Sequence, residues 1–450
     1  MESQVPDPSS KVLDGNIGFF WPQEAQGTAD LSDALLIRGY IHQTADSLVE
    51  VRALDEHRSV RGMFGMGARA RAVALFGAAE ETGLLVPEVL GTGVNAQFGG
   101  SKASILRYRA RALITGVEVR AAKSSRVQSA SLTFQEGLSF AELTAIHESH
   151  KVDPESNLVT EATFTLRANS SPLNGGTHGS FNVNLAPDWA TSGTSTKRTL
   201  SSGLTIGLSV ARPRPFSDFR PLLLGLQDLL NLAYDRFVPA DGGRAVVHGC
   251  QDHGHSYLWM EEVMVQPPHI ARASTAKESV PLFTLADLGG PEGFRRWLSL
   301  RDRFPDVTVV VASGYRVGGG RQPSRLLEVA AAIEYYVNAN RKAGATWAKK
   351  VSAPSHAEAL ARHVGKPFES LVGDHSVWAK TFLTTYNGVK HDPAFQRDPE
   401  VLQLLSWSGQ VLLLGALLDR SARTKAPSRK ILSDRRLEGG GERLRAILKT

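Results

Sequence analysis

The sequence predicts an α+β multidomain protein: a β-rich N-terminal region with one packed helix, followed by a C-terminal all-α helical bundle. The first observation is length, because 450 residues are too many for one ordinary core. The second is a series of short alternating or β-branched segments, separated by Gly, Pro and polar turns, over residues 15–312. The third is a change to the helical apolar period of 3.6 residues over residues 324–420.

Composition is that of a globular protein. A hydrophobic fraction of 42% and a charged fraction of 21% exclude a wholly disordered or fibrous chain. The net charge of +6 favours anionic partners in general, but it is too small to identify nucleic acid by itself. The single cysteine, Cys250, excludes an internal disulfide framework and a four-cysteine zinc site, as expected for a reducing cytosol.

Neither a signal peptide nor a membrane span is predicted. Residues 1–14 are polar and acidic, and we expect a flexible N-terminus there. The longest apolar run, residues 401–418, contains polar residues at helical spacing, which is typical of a buried bundle helix. A cytoplasmic protein with no membrane partner is therefore expected.

Strands of the N-terminal region are predicted from their period of two. They cover residues 16–22, 34–42, 48–53, 72–76, 104–119, 128–134, 159–167, 180–185 and 199–211. Residues 168–176 and 189–195 are predicted loops. In the strand over 104–119, Arg107, Arg109 and Arg111 share one face, opposite Tyr108 and Ala110. This pattern predicts a solvated sheet face, with an anion-binding arginine ladder as the alternative.

One helix, predicted over residues 218–234, carries a single apolar stripe and is expected to pack on a sheet. Beyond it, His248, Cys250, His253 and His255 form the densest group of potential metal ligands. Their spacing matches no standard zinc pattern, so a polar hairpin between strands at 245–247 and 257–265 is predicted. Metal binding or a nucleophilic cysteine is the alternative.

Glycine and proline punctuation at residues 313–323 predicts the linker between the two regions. Four helices are predicted after it, over 325–342, 355–364, 376–386 and 399–420, which is the size of a bundle. The basic tail, residues 421–450, is interrupted by Pro427 and three glycines. It is predicted to be solvated and partly disordered, or to make non-specific phosphate contacts.

A polar motif lies near the end of the predicted bundle. Asn387, Lys390 and His391 fall within five residues, just before an Asp-Pro pair that must interrupt any helix. An imidazole can transfer protons near neutral pH, and an amide and an ammonium can bind phosphate. This spacing favours a small metal-independent ribonuclease site, although a helix end complemented by Lys390 and His391 is the alternative.

Four features, in this order, resemble the ApeA family of bacterial abortive-infection proteins, which join an ApeA-type N-terminal domain to a C-terminal HEPN (higher eukaryotes and prokaryotes nucleotide-binding) domain. They are a Phe-Trp-Pro segment at 19–22, a helix at 219–234, a bundle that begins RLLEVAAAIE at Arg325, and the Asn-x-x-x-His ending at His391. The resemblance covers residues 15 to about 420 and rests on the order of the features.

The resemblance implies RNA cleavage, tRNA included, in defence against phage. It implies that the N-terminal domain, residues 15–312, senses a phage-derived trigger or restrains the nuclease. HEPN domains generally pair, so a homodimer or higher homo-oligomer is expected. In this interpretation His391 and Asn387 take the His and polar positions of the HEPN motif, and Lys390 offsets developing charge. No cofactor or metal is expected.

The sequence departs from the HEPN motif at its arginine, which is replaced by Tyr386. Attack of a 2′-hydroxyl on phosphate requires stabilisation of a dianion, which an arginine fork normally provides. Lys390, or Arg325 or Arg341 brought near by the bundle, are the candidate replacements in substrate binding. The departure leaves open a slower, rebuilt or inactive site, and the alternative function is a degenerate HEPN module that binds RNA or a partner.

Overall fold

The computed structural model describes most of the chain. The described residues are 13–23, 36–55, 74–79, 82–96, 104–144, 146–166, 173–194, 196–250, 256–266, 280–317, 321–349 and 355–449. They divide into two compact units. The first unit comprises 1–138, 143–227 and 238–266, and the second comprises 139–142, 228–237 and 267–450. The predicted flexible N-terminus lies almost wholly outside the described residues.

The first unit is built on a large antiparallel sheet. Its strands are β1 (Asp14–Gln23), β2 (Ile37–Gln43), β3 (Val49–Asp55), β4 (Ala74–Ala79), β5 (Thr82–Ala96), β6 (Ser104–Thr115), β7 (Arg126–Phe134), β10 (Leu173–His178), β11 (Phe181–Gly193), β12 (Arg198–Pro215), β13 (Gly242–Val247) and β14 (Tyr257–Met260). A separate hairpin pairs β8 (Ile146–Val152) with β9 (Val159–Leu166).

Part of this sheet closes on itself. The strand order is β10-β11-β12-β7-β13-β14-β6-β3-β2-β1-β4-β5, and an additional pairing joins β5 to β6. Among the described strands, β6, β3, β2, β1, β4 and β5 therefore form a closed barrel. Its interior is filled by buried apolar side chains, including Phe20, Val51 and Leu75. The β-rich N-terminal region predicted from the sequence is thus confirmed.

The arginine strand β6 follows the predicted period of two. Tyr108 and Ala110 are buried in the barrel core, and the arginines lie on the opposite, partly solvated face. Arg109 is not available to a free anion, because its guanidinium pairs with Glu261, with Nε 3.0 Å from Oε2. The outward face of β6 therefore contains an internal ion pair, and its three arginines are not all free to bind an anion.

The remaining strands form an open extension of the sheet, with one buried face. The helix α3 (Phe216–Tyr234) packs there as predicted, and the ring of Phe219 meets that of Phe181 edge to face at 5.0 Å. From Asp228 onward, the same helix belongs to the second unit. Three short helices occur elsewhere: α1 (Val119–Ala122), α2 (Gly137–Ala141) and α4 (Glu261–Met264).

The second unit is helical. Its elements are α5 (Pro291–Arg303), α6 (Pro305–Ala312), α7 (Gly314–Val317), α8 (Gln322–Lys342), a 3-10 turn at Thr346–Ala348, α9 (His356–Val364), α10 (Lys366–Val372), α11 (His375–His391), α12 (Pro399–Ala422), α13 (Ala426–Leu432) and α14 (Arg435–Leu448). The all-α C-terminal region predicted from the sequence is confirmed, with more helices than the four expected.

Helix α12 forms the centre of the helical unit. Within the described residues it alone is long and apolar enough to cross a membrane, judged by length and composition. Its most apolar window is 83% buried inside the protein, which is the environment of a core helix. Gly409 allows close packing there, since a Cβ at this position would lie 2.6 Å from Val329 of α8.

Several predicted boundaries differ from the structure. The basic tail forms α13 and α14 instead of a disordered terminus, because Leu437 and Leu444 are buried against the helical unit. The compact units do not divide at the predicted linker 313–323, which contains α7 and the start of α8. The predicted loops at 168–176 and 189–195 overlap β10 and β11, and the predicted strand 257–265 ends in α4.

Candidate functional site

The polar motif lies on the last turns of α11, which continues beyond the predicted helix end at residue 386. The helix starts at an N-cap, where the Asp374 carboxylate accepts hydrogen bonds from the backbone N–H groups of Ser376 and Val377. Its apolar face anchors it, because Trp378 is buried and its Nε1 donates to Ser408 Oγ at 2.9 Å. The motif is thus presented by a fixed helix.

Asn387 and His391 share one exposed face of this helix end. They are four residues apart, so their side chains lie one turn from each other. Both are exposed, and neither side chain forms a hydrogen bond or ion pair with another described residue. An amide and an imidazole that share one face and lack an internal partner are available to a ligand.

Tyr386 and Lys390 form a second pair on the adjacent face. Lys390 Nζ donates to Tyr386 Oη at 3.0 Å and lies 5.2 Å from the ring centroid. This hydrogen bond raises the pKa of the Lys390 ammonium, and a weaker attraction to Glu334 of α8 acts in the same direction. Tyr386 therefore carries no charge itself but holds the Lys390 cation beside it.

Gly388 is required by packing and not by a turn. The Phe395 ring lies over it, so a Cβ at Gly388 would lie only 2.4 Å from that ring. The helix continues through Gly388 and ends at Asp392, which is extended because a proline follows it. The Asp392 carboxylate then accepts a hydrogen bond from the N–H of Ala394 at 2.9 Å. The predicted interruption at Asp-Pro is confirmed.

The two arginines proposed as replacements have other partners. Arg325 donates to the carbonyl of Val310 at 2.5 Å and pairs with Glu328 at 3.0 Å. Arg341 donates from Nε to the carbonyl of Ala348 at 2.9 Å and to the side chain of Asn338. In this chain both guanidiniums stabilise neighbouring backbone, and Lys390 is the cation that the structure brings to the motif.

The helical unit also contains a pocket of about 370 Å³ that the sequence did not indicate. Its His363 ring stacks on Trp347 with centroids 4.0 Å apart, and burial lowers the pKa of His363 to about 4. Lys425 donates to the carbonyl of His363 at 2.8 Å and pairs with Asp419. Lys425 therefore caps the C-terminal carbonyl end of α9, and this structural role accounts for the charged side chains in the pocket.

A metal site is not found among the residues that the structure describes. No group of three or more His, Cys, Asp or Glu side chains is placed to hold an ion there. Of the ligands suggested by sequence, His248 and Cys250 are described, whereas His253 and His255 lie outside the described residues.

The fold defines a two-unit α+β protein in which a barrel-containing sheet is combined with a helical unit that carries an exposed imidazole. Residues 73–297, half of the chain, match the family described as ApeA N-terminal domain 1. The chain belongs to the ApeA family, whose N-terminal domain indicates an anti-phage protein of the abortive-infection type. No curated protein and no solved structure matches the chain.

Proposed function

We propose that the protein is a HEPN-type ribonuclease that acts against phage, cleaves RNA without a metal ion, and is controlled by its N-terminal unit. Family membership supports the defence role. The observation that carries the nuclease proposal is the exposed pair Asn387 and His391. They lie one turn apart on a helix of the C-terminal unit whose opposite face is buried. The HEPN assignment itself rests on the sequence resemblance.

In the proposed reaction the 2′-hydroxyl of a ribose attacks the adjacent phosphate. The imidazole of His391 accepts the hydroxyl proton, and the 5′-oxygen leaves with a proton, which gives a 2′,3′-cyclic phosphate and a 5′-hydroxyl. The Asn387 amide donates a hydrogen bond to a phosphate oxygen. The Lys390 ammonium, held by Tyr386, offsets the charge that develops on the phosphorane.

One chain supplies one imidazole at this position, whereas the reaction needs both a base and an acid. A second copy of the chain, facing the first, would supply the other imidazole. We therefore propose that the active form is a homodimer, in which the two α11 ends face each other across the cleaved bond.

The first experiment measures RNA cleavage by the full chain in EDTA, with labelled total tRNA as substrate. We expect cyclic-phosphate ends and a loss of at least about 100-fold in rate for His391→Ala, the usual range for removal of a general base. The matched control is His375→Ala, which changes the same residue type at the other end of the same helix. Equal losses in both variants would contradict the assigned role of His391.

The alternative proposal is a non-catalytic HEPN module that binds RNA or a partner, and the substitution of arginine by Tyr386 favours it. The two proposals differ in one measurement. RNA binding without cleavage by the native chain, together with cleavage by a Tyr386→Arg variant, would establish the binding module and reject catalysis by this sequence. Cleavage by the native chain that His391→Ala abolishes would establish the nuclease.

A further inference from the structure

The first unit contains an open cavity of about 650 Å³ that none of the sequence motifs indicated. It crosses the open part of the sheet, over β11, β12, β7, β13 and β14. It lies wholly within residues 133–257, inside the segment that matches the ApeA domain. A volume of this size is within the range of ligand-binding pockets in proteins.

The cavity exists because the sheet carries small side chains on this face. Asp188 of β11 is opposite Gly203 of β12, and Thr133 of β7 is opposite both Thr205 and Gly242. At Gly242 an added Cβ would have no atom within 4 Å, so the space above this residue is empty. The floor is therefore a depression and not a packed surface.

Three charged side chains line the cavity without neutralising one another. Among the described residues, Asp188 accepts hydrogen bonds only from Thr205 Oγ1 at 3.3 Å and from the N–H of Trp189 at 2.9 Å. Asp241 accepts one from the N–H of Gln135 at 2.7 Å. Across the part of the chain that the structure describes, neither these two carboxylates nor Arg244 has an ionic partner. Elsewhere in the same unit, Arg109 and Glu261 are paired.

The backbone spacing of the two acidic residues sets the approximate length of a complementary ligand. Asp188 on β11 and Asp241 at the start of β13 are separated by three strand spacings, or about 14 Å. In an extended peptide, residues i and i+4 point to the same side and are also about 14 Å apart. Tyr257 of β14, which is opposite Arg244 of β13, adds aromatic surface for the rest of the ligand.

We propose that this cavity binds an extended peptide segment with two basic side chains four residues apart, which pair with Asp188 and Asp241, and with an acidic group that pairs with Arg244. The net lining charge of −1 disfavours nucleic acid, and two unpaired carboxylates favour a cationic ligand over a neutral sugar. This inference rests on the sensing part of the proposed function, for which it names the class of trigger: a basic segment of a protein.

The test measures binding of fluorescein-labelled heptapeptides to the full chain by anisotropy. Each peptide of the series contains two lysines, at spacings from i, i+1 to i, i+5. The other positions are Ser or Ala, and the last residue is Glu. We expect the i, i+4 peptide to bind tightest, and Asp188→Asn with Asp241→Asn to weaken it at least tenfold. The matched control is Asp46→Asn, an exposed aspartate on the β2–β3 turn of the same unit.

A steric variant provides a second measurement that does not alter charge. Gly242→Leu fills the empty space above the floor and should weaken the same peptide at least tenfold, whereas Gly439→Leu, equally unobstructed but in the helical unit, should not. The proposal would be overturned if the affinity were independent of lysine spacing or insensitive to these variants. Displacement of the bound peptide by maltotetraose or by poly(U) would also overturn it. Because RNA cleavage is not measured, failure of the nuclease proposal remains distinguishable.

Discussion

At the residue scale, the close contact between Gly388 and Phe395 gives a testable prediction. Alanine normally stabilises a helix by about 1 kcal/mol relative to glycine. In the native chain, however, the new methyl group would displace the Phe395 ring. We therefore expect Gly388→Ala to be neutral or destabilising alone and to stabilise by about 1 kcal/mol in a Phe395→Ala background.

Urea unfolding of the two single variants and the double variant measures this coupling. A double-mutant cycle is appropriate because the two residues are in direct contact. The same effect of Gly388→Ala in both backgrounds would show that the Phe395 ring does not constrain the end of α11.

His363 predicts a pH dependence of stability. Burial, and next Lys425 and Arg420, lower the pKa of this imidazole to about 4 in the folded protein. An unfolded histidine titrates near 6.5, so the unfolded state binds the extra proton first as the pH falls. The contribution of His363 to stability is therefore complete above about pH 6.5 and is lost progressively between about 6.5 and 4.

The control for this prediction is His363→Phe, which retains an aromatic ring against Trp347 and cannot titrate. The urea midpoint of the wild type should fall relative to that of the variant from pH 7 to pH 4. A difference that is constant over this range would indicate that His363 is as accessible to protons as in the unfolded chain.

The sequence identified the types of residue in the motif but not their partners. Asn387 and His391 could be found because their spacing is visible along the chain. The hydrogen bond from Lys390 to Tyr386 depends on the helix continuing through Asn-Gly, and local propensity favoured a turn there. Arg325 and Arg341 each also donate to a backbone carbonyl outside their helix, and no pattern along the chain specifies those two partners.

At the element scale, α14 predicts that the basic tail contributes to stability. Leu444 is fully buried. We expect Leu444→Ala to destabilise the protein by about 2–5 kcal/mol, as for other buried leucines. Thermal and urea unfolding measure the loss, and Glu442→Ala, an exposed position on the same helix, is the matched control.

A neutral Leu444→Ala variant would instead support the disordered tail that composition suggests. Three consecutive glycines argued for disorder, yet they lie inside α14. A Cβ at Gly440 would be 2.7 Å from Trp407, and one at Gly441 would be 2.9 Å from Leu371. These glycines permit close packing of α14, and only the tertiary structure reveals that requirement.

Strands with clear alternation were predictable, and irregular strands were not. β6 was found because arginines and apolar residues alternate along it. β5 was missed because Pro87, Gly91 and Gly93 interrupt its pattern, and its pairing with β6 shifts register near them. Closure of the barrel depends on this strand, so closure could not be deduced from sequence either.

At the scale of the whole molecule, the helical unit includes segments that come from earlier in the chain. Asp228 of α3 pairs with Arg316 at 2.6 Å and with Arg301 at 3.3 Å, and it is almost fully buried. The N–H of Leu282 donates to the carbonyl of Ala233 at 2.6 Å. The N–H of Leu285 donates to the carbonyl of Phe140 at 2.7 Å.

We therefore expect the isolated fragment 267–450 not to fold cooperatively, because it lacks Asp228, Ala233 and Phe140 and so loses two ion pairs and two backbone hydrogen bonds of the helical unit. Far-UV circular dichroism with urea titration measures this. The matched control is the full chain with a protease site inserted after Gln266 and then cut there. This sample has the same chain break as the fragment but retains the earlier segments of the helical unit. A cooperative transition of the fragment equal to that of the cut chain would contradict the expectation.

The sequence could not locate this division. Glycine and proline at 313–323 mark a break between local patterns, and sequence-based boundaries assume that each domain is continuous. Here one helix contributes residues to both units, with the change at Gln227 and Asp228 in its middle. The apolar stripe of the helix is uninterrupted at that point and gives no local signal.

The interleaved course of the chain also constrains how this gene can evolve. A crossover that replaced everything after codon 266 with the equivalent part of a diverged relative would separate Asp228 from Arg301 and Arg316, with which it pairs. Such hybrids would inherit mismatched pieces of one core. Exchange of the helical half as a cassette should therefore be rare in this lineage, because a junction after codon 266 divides the helical unit and a junction before codon 139 divides the sheet between β6 and β14.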